Sequence, residues 1–177
     1  DDGTAEAARS TAGAFAARGA RLAVHELAQG GKANAWNHAV HELVDEDSSY
    51  VIFVDADVTL VAETVLARLL EAVEIARTPV AISGRPLKDF ARKPRPNLVS
   101  RFSLAISADT AYVNCLNGSL YIAKAAALRK IWLPNRTPGE DGFLNAMLTT
   151  EGFSRAADDG LVRQLDQPTH YYEGIGV

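Results

Sequence analysis

Two carboxylates, Asp55 and Asp57, stand one residue apart directly after an apolar run, Tyr50-Val51-Ile52-Phe53-Val54. Paired carboxylates repel each other and invite a divalent cation, an Arg or a Lys between them. Hard oxygen ligands suit Mg²⁺ or Mn²⁺, and Mg²⁺ commonly takes one or two carboxylates together with substrate phosphates. The plainer reading is an acidic turn whose Asp caps the following helix. Lys32, in Gly30-Gly31-Lys32-Ala33-Asn34-Ala35-Trp36-Asn37, offers a point charge for phosphate or simply a solvated turn. Glu140 and Asp141 follow Gly139 at a predicted helix start, where the helix dipole alone favours acids. Asp1 and Asp2 open the chain in an acidic loop, Asp1-Asp2-Gly3-Thr4.

These groups need elements to hold them. The run over 50–54 reads as a buried parallel strand, which places Asp55 and Asp57 at the lip of a pocket beyond its carboxyl end. Helices are expected over 4–18, 33–44, 62–76, 98–111, 123–131 and 140–149, with Val65, Leu66, Leu69, Leu70 and Val73 on one face of the third. Further strands are expected over 21–26, 79–83 and 119–122. The stretch 84–97 holds Pro86, Pro94 and Pro96 among Arg85, Lys88, Arg92, Lys93 and Arg95, and reads as a basic loop. Residues 155–164 look irregular with one strand possible, and the tail to Val177 has no clear period. Alternating strands and helices argue an α/β layered fold with a mostly parallel sheet.

With 177 residues the chain suits one domain, 1–177, with a sizeable core. A net charge of −4 argues against general nucleic-acid binding. The single Cys115 excludes an internal disulfide and reads as a small core residue. No apolar stretch approaches the length of a membrane span, and no signal peptide is evident. A start inside a loop suggests a fragment of a longer protein.

Taken together, the order and spacing of these stretches resemble the family 2 glycosyltransferases, which have the GT-A fold, a three-layer αβα sandwich with a mostly parallel mixed sheet. Asp1-Asp2-Gly3-Thr4 looks like that family's Asp-Asp-Gly-Ser. The segment 31–37 looks like its Gly-Lys-Ala-x-Ala-x-Asn, and Asp55-Ala56-Asp57 like its metal-binding Asp-x-Asp. Asn117-Gly118-Ser119 looks like its acceptor-side glycine segment, and Gly139-Glu140-Asp141 like the Glu-Asp that supplies its base. Two features depart from the pattern: the family's first strand and helix are absent, and Gln164-Leu165-Asp166-Gln167 does not match the Gln-x-x-Arg-Trp of processive synthases.

The resemblance implies an inverting transfer of a sugar from a nucleotide-diphosphate donor, expected to be a UDP-sugar, to a saccharide or lipid-linked acceptor. It implies Mn²⁺ or Mg²⁺ on Asp57 and Asp55, with Asp55 alternatively on the ribose and His170 as a third metal ligand. Asp1, Asp2 and Lys32 would contact the donor, Asp141 would be the base, and Glu140 would orient it or cap the helix. Trp36 is expected in the core, and Trp132 either stacks on an acceptor sugar or packs structurally. The expected location is cytoplasmic, at the inner face of the membrane in a longer parent. Two other readings are a nucleotide-sugar-binding module without catalysis and a two-carboxylate glycoside hydrolase needing no metal.

Overall fold

The computed structural model describes residues 3–76, 78–88, 115–136 and 138–172. Five strands form one sheet: β1 (Tyr50–Val54), β2 (Thr59–Leu60), β3 (Ala81–Lys88), β4 (Leu120–Lys124) and β5 (Val162–Tyr172). Their spatial order is β1-β4-β3-β5-β2. β4 lies antiparallel to both β1 and β3, β3 pairs parallel with β5, and β2 closes antiparallel on β5. The sheet is therefore mixed, as expected. β1, β3 and β5 run the same way, but β4 is inserted between β1 and β3, so one of the four described pairings is parallel.

Period-two alternation sorts the strand residues between two faces. Helix α4 (Val65–Ile75) covers one face. It buries Val65, Leu69 and Val73 against Ile82, Leu120 and Ile122. The spacing of four keeps those three on one stripe, and Leu66 and Leu70 fall outside it, partly exposed. The other face carries Tyr121, Ala123 and Ala81 under α3 (Lys32–His38), the short α5 (Ala125–Leu128) and α6 (Glu140–Thr149). Helices on both faces of a sheet give the expected αβα layering.

Several elements differ from expectation. The helix over 4–18 is two pieces, α1 (Thr4–Ser10) and α2 (Ala12–Ala16), broken at Thr11. Residues 21–26 have the alternation of a strand, with Leu22 and Val24 half-buried, but no partner strand among the described residues. After α3 the helix over 33–44 widens into a π-helical turn, Ala39–Leu43. β1 is an edge of the described sheet and not a buried strand: Ile52 and Val54 lie on the α4 side but α4 sits over β3 and β4, leaving both exposed.

The stretch expected as a loop from residue 84 continues β3 as far as Lys88. Its register shifts between Ser83 and Arg85 and again at Pro86, and such irregularities let a proline sit in a strand. The rest of that basic stretch and the helix expected over 98–111 lie outside the described residues. The tail without clear period forms most of β5, paired with β3 and β2, and it buries the polar Thr169 and His170, which bond each other.

Candidate active site

Three elements converge on one cavity. β1 ends in a turn closed by the Val58 N–H to the Asp55 carbonyl, 3.2 Å. The Asp55 N–H donates to the Ser119 carbonyl at 2.9 Å, which ties that turn to residues 117–119 ahead of β4. α3 begins at Lys32 after Gly31, whose φ of 117° lies where glycine is favoured. α6 begins at Glu140 after Gly139, with φ 74°. Lys32, Asp55, Glu140 and Asp141 all line a cavity of about 200 Å³.

Beneath these charged groups the lining is apolar. Trp36 stacks on Phe53 with ring centroids 5.9 Å apart, and Phe53 on Tyr121 at 4.9 Å. The Trp36 Nε1–H donates to the Tyr121 hydroxyl at 2.6 Å, so the two polar atoms satisfy each other in the core. Burial pushes the Tyr121 phenol far up, against that bond from Trp36 and with help from Asp141 and Asp55, so it stays neutral. Next to Trp36, the Asn37 amide accepts from the Leu133 N–H and donates to its carbonyl, at 2.9 and 2.8 Å, fixing the wall formed by the loop before α6.

The charged groups form a chain. Lys32 Nζ lies 3.0 Å from Asp55 Oδ2 and 3.7 Å from Glu140 Oε1. Burial works against the Lys32 ammonium, but its bond to Asp55 and the charges of Asp141, Asp55 and Glu140 win, and its pKa rises. Asp141 Oδ2 accepts the Gly118 N–H at 3.1 Å. Burial raises the Asp141 carboxyl; Lys32 and the Gly118 N–H oppose it, Glu140 and Asp55 reinforce it, and the result lies above the ordinary value. Its raised pKa makes Asp141 a stronger proton acceptor than an ordinary aspartate. Gly118 is obligatory there, since a Cβ on it would stand 1.9 Å from Asp141 Oδ1.

The remaining candidates fall elsewhere. Asp57 is exposed and is not part of the cavity lining. Asp1 and Asp2 lie outside the described residues. His170, expected as a third metal ligand, is fully buried in β5. Its Nδ1 lies 2.8 Å from Thr169 Oγ1 and its Nε2 2.7 Å from Ser119 Oγ. Burial lowers its pKa, partly offset by the charges of Asp55 and Asp57. Trp36 is in the core as expected, whereas Trp132 is exposed and stacks on His41, centroids 4.4 Å apart.

Asp55 and Asp57 offer the hard carboxylate oxygens a divalent cation takes; Asp55 lines the cavity bonded to Lys32, and Asp57 lies outside the lining. His170 does not fit as their third partner in this arrangement, because both ring nitrogens are already hydrogen-bonded. Among the described residues no three His, Cys, Asp or Glu side chains converge on one metal position. No described helix is long and apolar enough to cross a membrane. Sequence reasoning missed Tyr121, Phe53 and Leu133 as cavity wall, since apolar residues beside a pocket read the same as core. It also missed that the hydroxyl of Ser119 meets His170.

An αβα sandwich with acidic groups gathered at the strand ends is a glycosyltransferase-type arrangement of the GT-A fold. The family model described as glycosyl transferase family 2 matches residues 1–134, and the chain belongs to that family. Among solved structures the chain is similar to the mannosyltransferase PcManGT from Pyrobaculum calidifontis, solved in complex with GDP-Man and Mn2+. The two are 22% identical with a TM-score of 0.60, and the match covers 95% of this chain and 45% of that one. At that identity the likeness establishes the fold, and this chain spans less than half the length of its structural neighbour. A search of curated proteins found no match.

Proposed function

We propose that this domain transfers a sugar, with inversion, from a nucleotide-diphosphate donor to a hydroxyl of a saccharide or lipid-linked acceptor. The observation that carries the reading is Asp141, held by the Gly118 N–H in the same cavity as Asp55, Lys32 and Glu140, with its pKa raised. Asp141 is the base that accepts the acceptor proton, and Glu140 restrains Lys32 from the opposite side. Lys32 attracts the donor phosphates as a point charge, exchanging its contact with Asp55 for them. Asp57, with Asp55, would hold Mn²⁺ or Mg²⁺, which supplies Lewis-acid neutralisation of the diphosphate leaving group. Asp1 and Asp2 would reach the nucleotide base. Attack from the face opposite the leaving group inverts the anomeric centre.

The base of the nucleotide is the open choice. The family resemblance favours uracil, and the structural neighbour was solved with GDP-Man. Calorimetry with UDP and with GDP, each with Mn²⁺ and with EDTA, decides it. One nucleotide is expected to bind tightly and only with Mn²⁺, and Asp57→Asn is expected to abolish that metal dependence while leaving the fold intact. Equal affinity in EDTA overturns the metal bridge; no binding of either nucleotide overturns the donor assignment.

A further inference from the structure

The buried end of β5 faces the turn that carries Gly118. All three backbone N–H groups of that turn are engaged. The Asn117 N–H donates to Ser83 Oγ at 2.7 Å, and Ser83 is itself fully buried in β3. Asn117 Oδ1 accepts the Ser119 N–H at 3.1 Å and contacts the Ser119 hydroxyl. The Gly118 N–H points at Asp141, and the Ser119 carbonyl takes the Asp55 N–H. One short turn thus sets the position of both the proposed base and the acidic turn after β1. Ser119 Oγ connects it to His170 Nε2.

Thr169 Oγ1 donates its only proton to the Arg85 carbonyl at 3.1 Å, so it accepts from His170 Nδ1–H. Ser119 Oγ has a single proton facing both Asn117 Oδ1 and His170 Nε2, and with the proton on either partner Ser119 stays bonded to the ring. His170 is locked on its other side by backbone: it pairs with Leu60 of β2 and Pro86 of β3. A buried ring fixed between two strands is a rigid anchor, whereas the 117–119 turn has no regular secondary structure of its own.

We propose that His170 is a positioning residue: through Ser119 it holds the 117–119 turn where the Gly118 N–H aims the Asp141 carboxylate at the acceptor. The role as base rests on the glycosyl-transfer reading above; the anchoring of Gly118 does not. This assignment replaces a ligand role for His170, since a cation on Nε2 would have to break the bond to Ser119.

The test compares Ser119→Ala, His170→Asn and His170→Gln in the whole chain. The Gln amide, which carries both a donor and an acceptor, can reach near the position of Nε2, and the shorter Asn cannot. The first readout is the Gly118 amide by NMR. In the wild type its shift is expected to follow the titration of Asp141, and its hydrogen exchange to be slow. In Ser119→Ala and His170→Asn, exchange is expected to quicken about tenfold or more and the link to Asp141 to weaken, with His170→Gln restoring both. The second readout is sugar transfer: kcat falls in the same two variants, while donor KM and Mn²⁺ affinity stay near wild type. An unchanged Gly118 amide in folded Ser119→Ala overturns the proposal. Loss of Mn²⁺ affinity in both His170 variants with Gly118 undisturbed overturns it in favour of a ligand. If the wild type transfers no sugar from any donor, the glycosyl-transfer reading fails, and the Gly118 amide still decides whether His170 anchors the turn.

Discussion

The two faces of the sheet are built from the same strands and do different work. On the α4 face, Val65, Leu69 and Val73 meet Ile82, Leu120 and Ile122, and no charged group belongs to that cluster. On the α3–α6 face, Trp36, Phe53 and Tyr121 pack beneath four charged side chains, one of which, Asp141, is buried enough to resist ionisation. Apolar burial is non-directional and tolerates repacking. The charged face needs each donor and acceptor in place, and it holds a carboxylate that would be more comfortable in water. Both faces stabilise the domain by apolar burial, the α3–α6 face with the larger cluster, and only that face spends some of that stability on a reactive arrangement.

The sharpest break between the faces is Asp141→Asn. It keeps size and can still accept the Gly118 N–H, but it cannot take a proton. Sugar transfer is expected to fall roughly 10²–10⁴-fold, the range for a lost general base, with donor affinity nearly unchanged. Turnover close to wild type in a direct transfer assay would reduce Asp141 to a helix-start acid and move the role to Glu140.

Leu69→Ala attacks the other face. Leu69 has no exposed surface, and its truncation leaves a cavity between α4 and the sheet. A loss of about 2–5 kcal/mol in unfolding free energy is expected. Urea unfolding measures it, and nucleotide affinity at temperatures where the variant stays folded is expected to match wild type. A nucleotide defect in the folded variant would mean that the faces are coupled.

The smallest effect sharpens the contrast through pH. The Asp141 pKa is raised on folding, so its contribution favours the native state fully below the unfolded value near 3.8 and is lost as pH rises through the folded value. Asp141→Asn is free of that loss. The two proteins are expected to have similar Tm in acid, and the variant to melt higher at neutral pH, by a few degrees at most. A variant that melts lower at neutral pH than at acid pH, relative to wild type, would show that ionised Asp141 is stabilising.

Much of this was legible in the chain. The run over 50–54 is a strand with the bounds expected, and 140–149 a helix with the bounds expected, because periodicity and the turn residues beside them agree. The charged cavity groups were all named from type and spacing, since carboxylates and Lys at predicted strand and helix ends have few bland uses in combination. What spacing could not reveal was depth. Asp55 and Asp57 look equivalent in sequence, yet one faces the cavity and the other does not. Ile52 and Val54 read as buried until α4 is seen to lie over β3 and β4.

His170 marks the boundary most clearly. The sequence determined its chemistry: an imidazole that can donate at one nitrogen and accept at the other. Thr169 is a chain neighbour, but only the tertiary structure decided that Nε2 meets Ser119, because Ser119 and the β2 and β3 backbones are brought to His170 from distant segments. Local sequence fixes which groups a side chain can engage. Long-range register fixes which groups come within hydrogen-bond reach, about 3 Å.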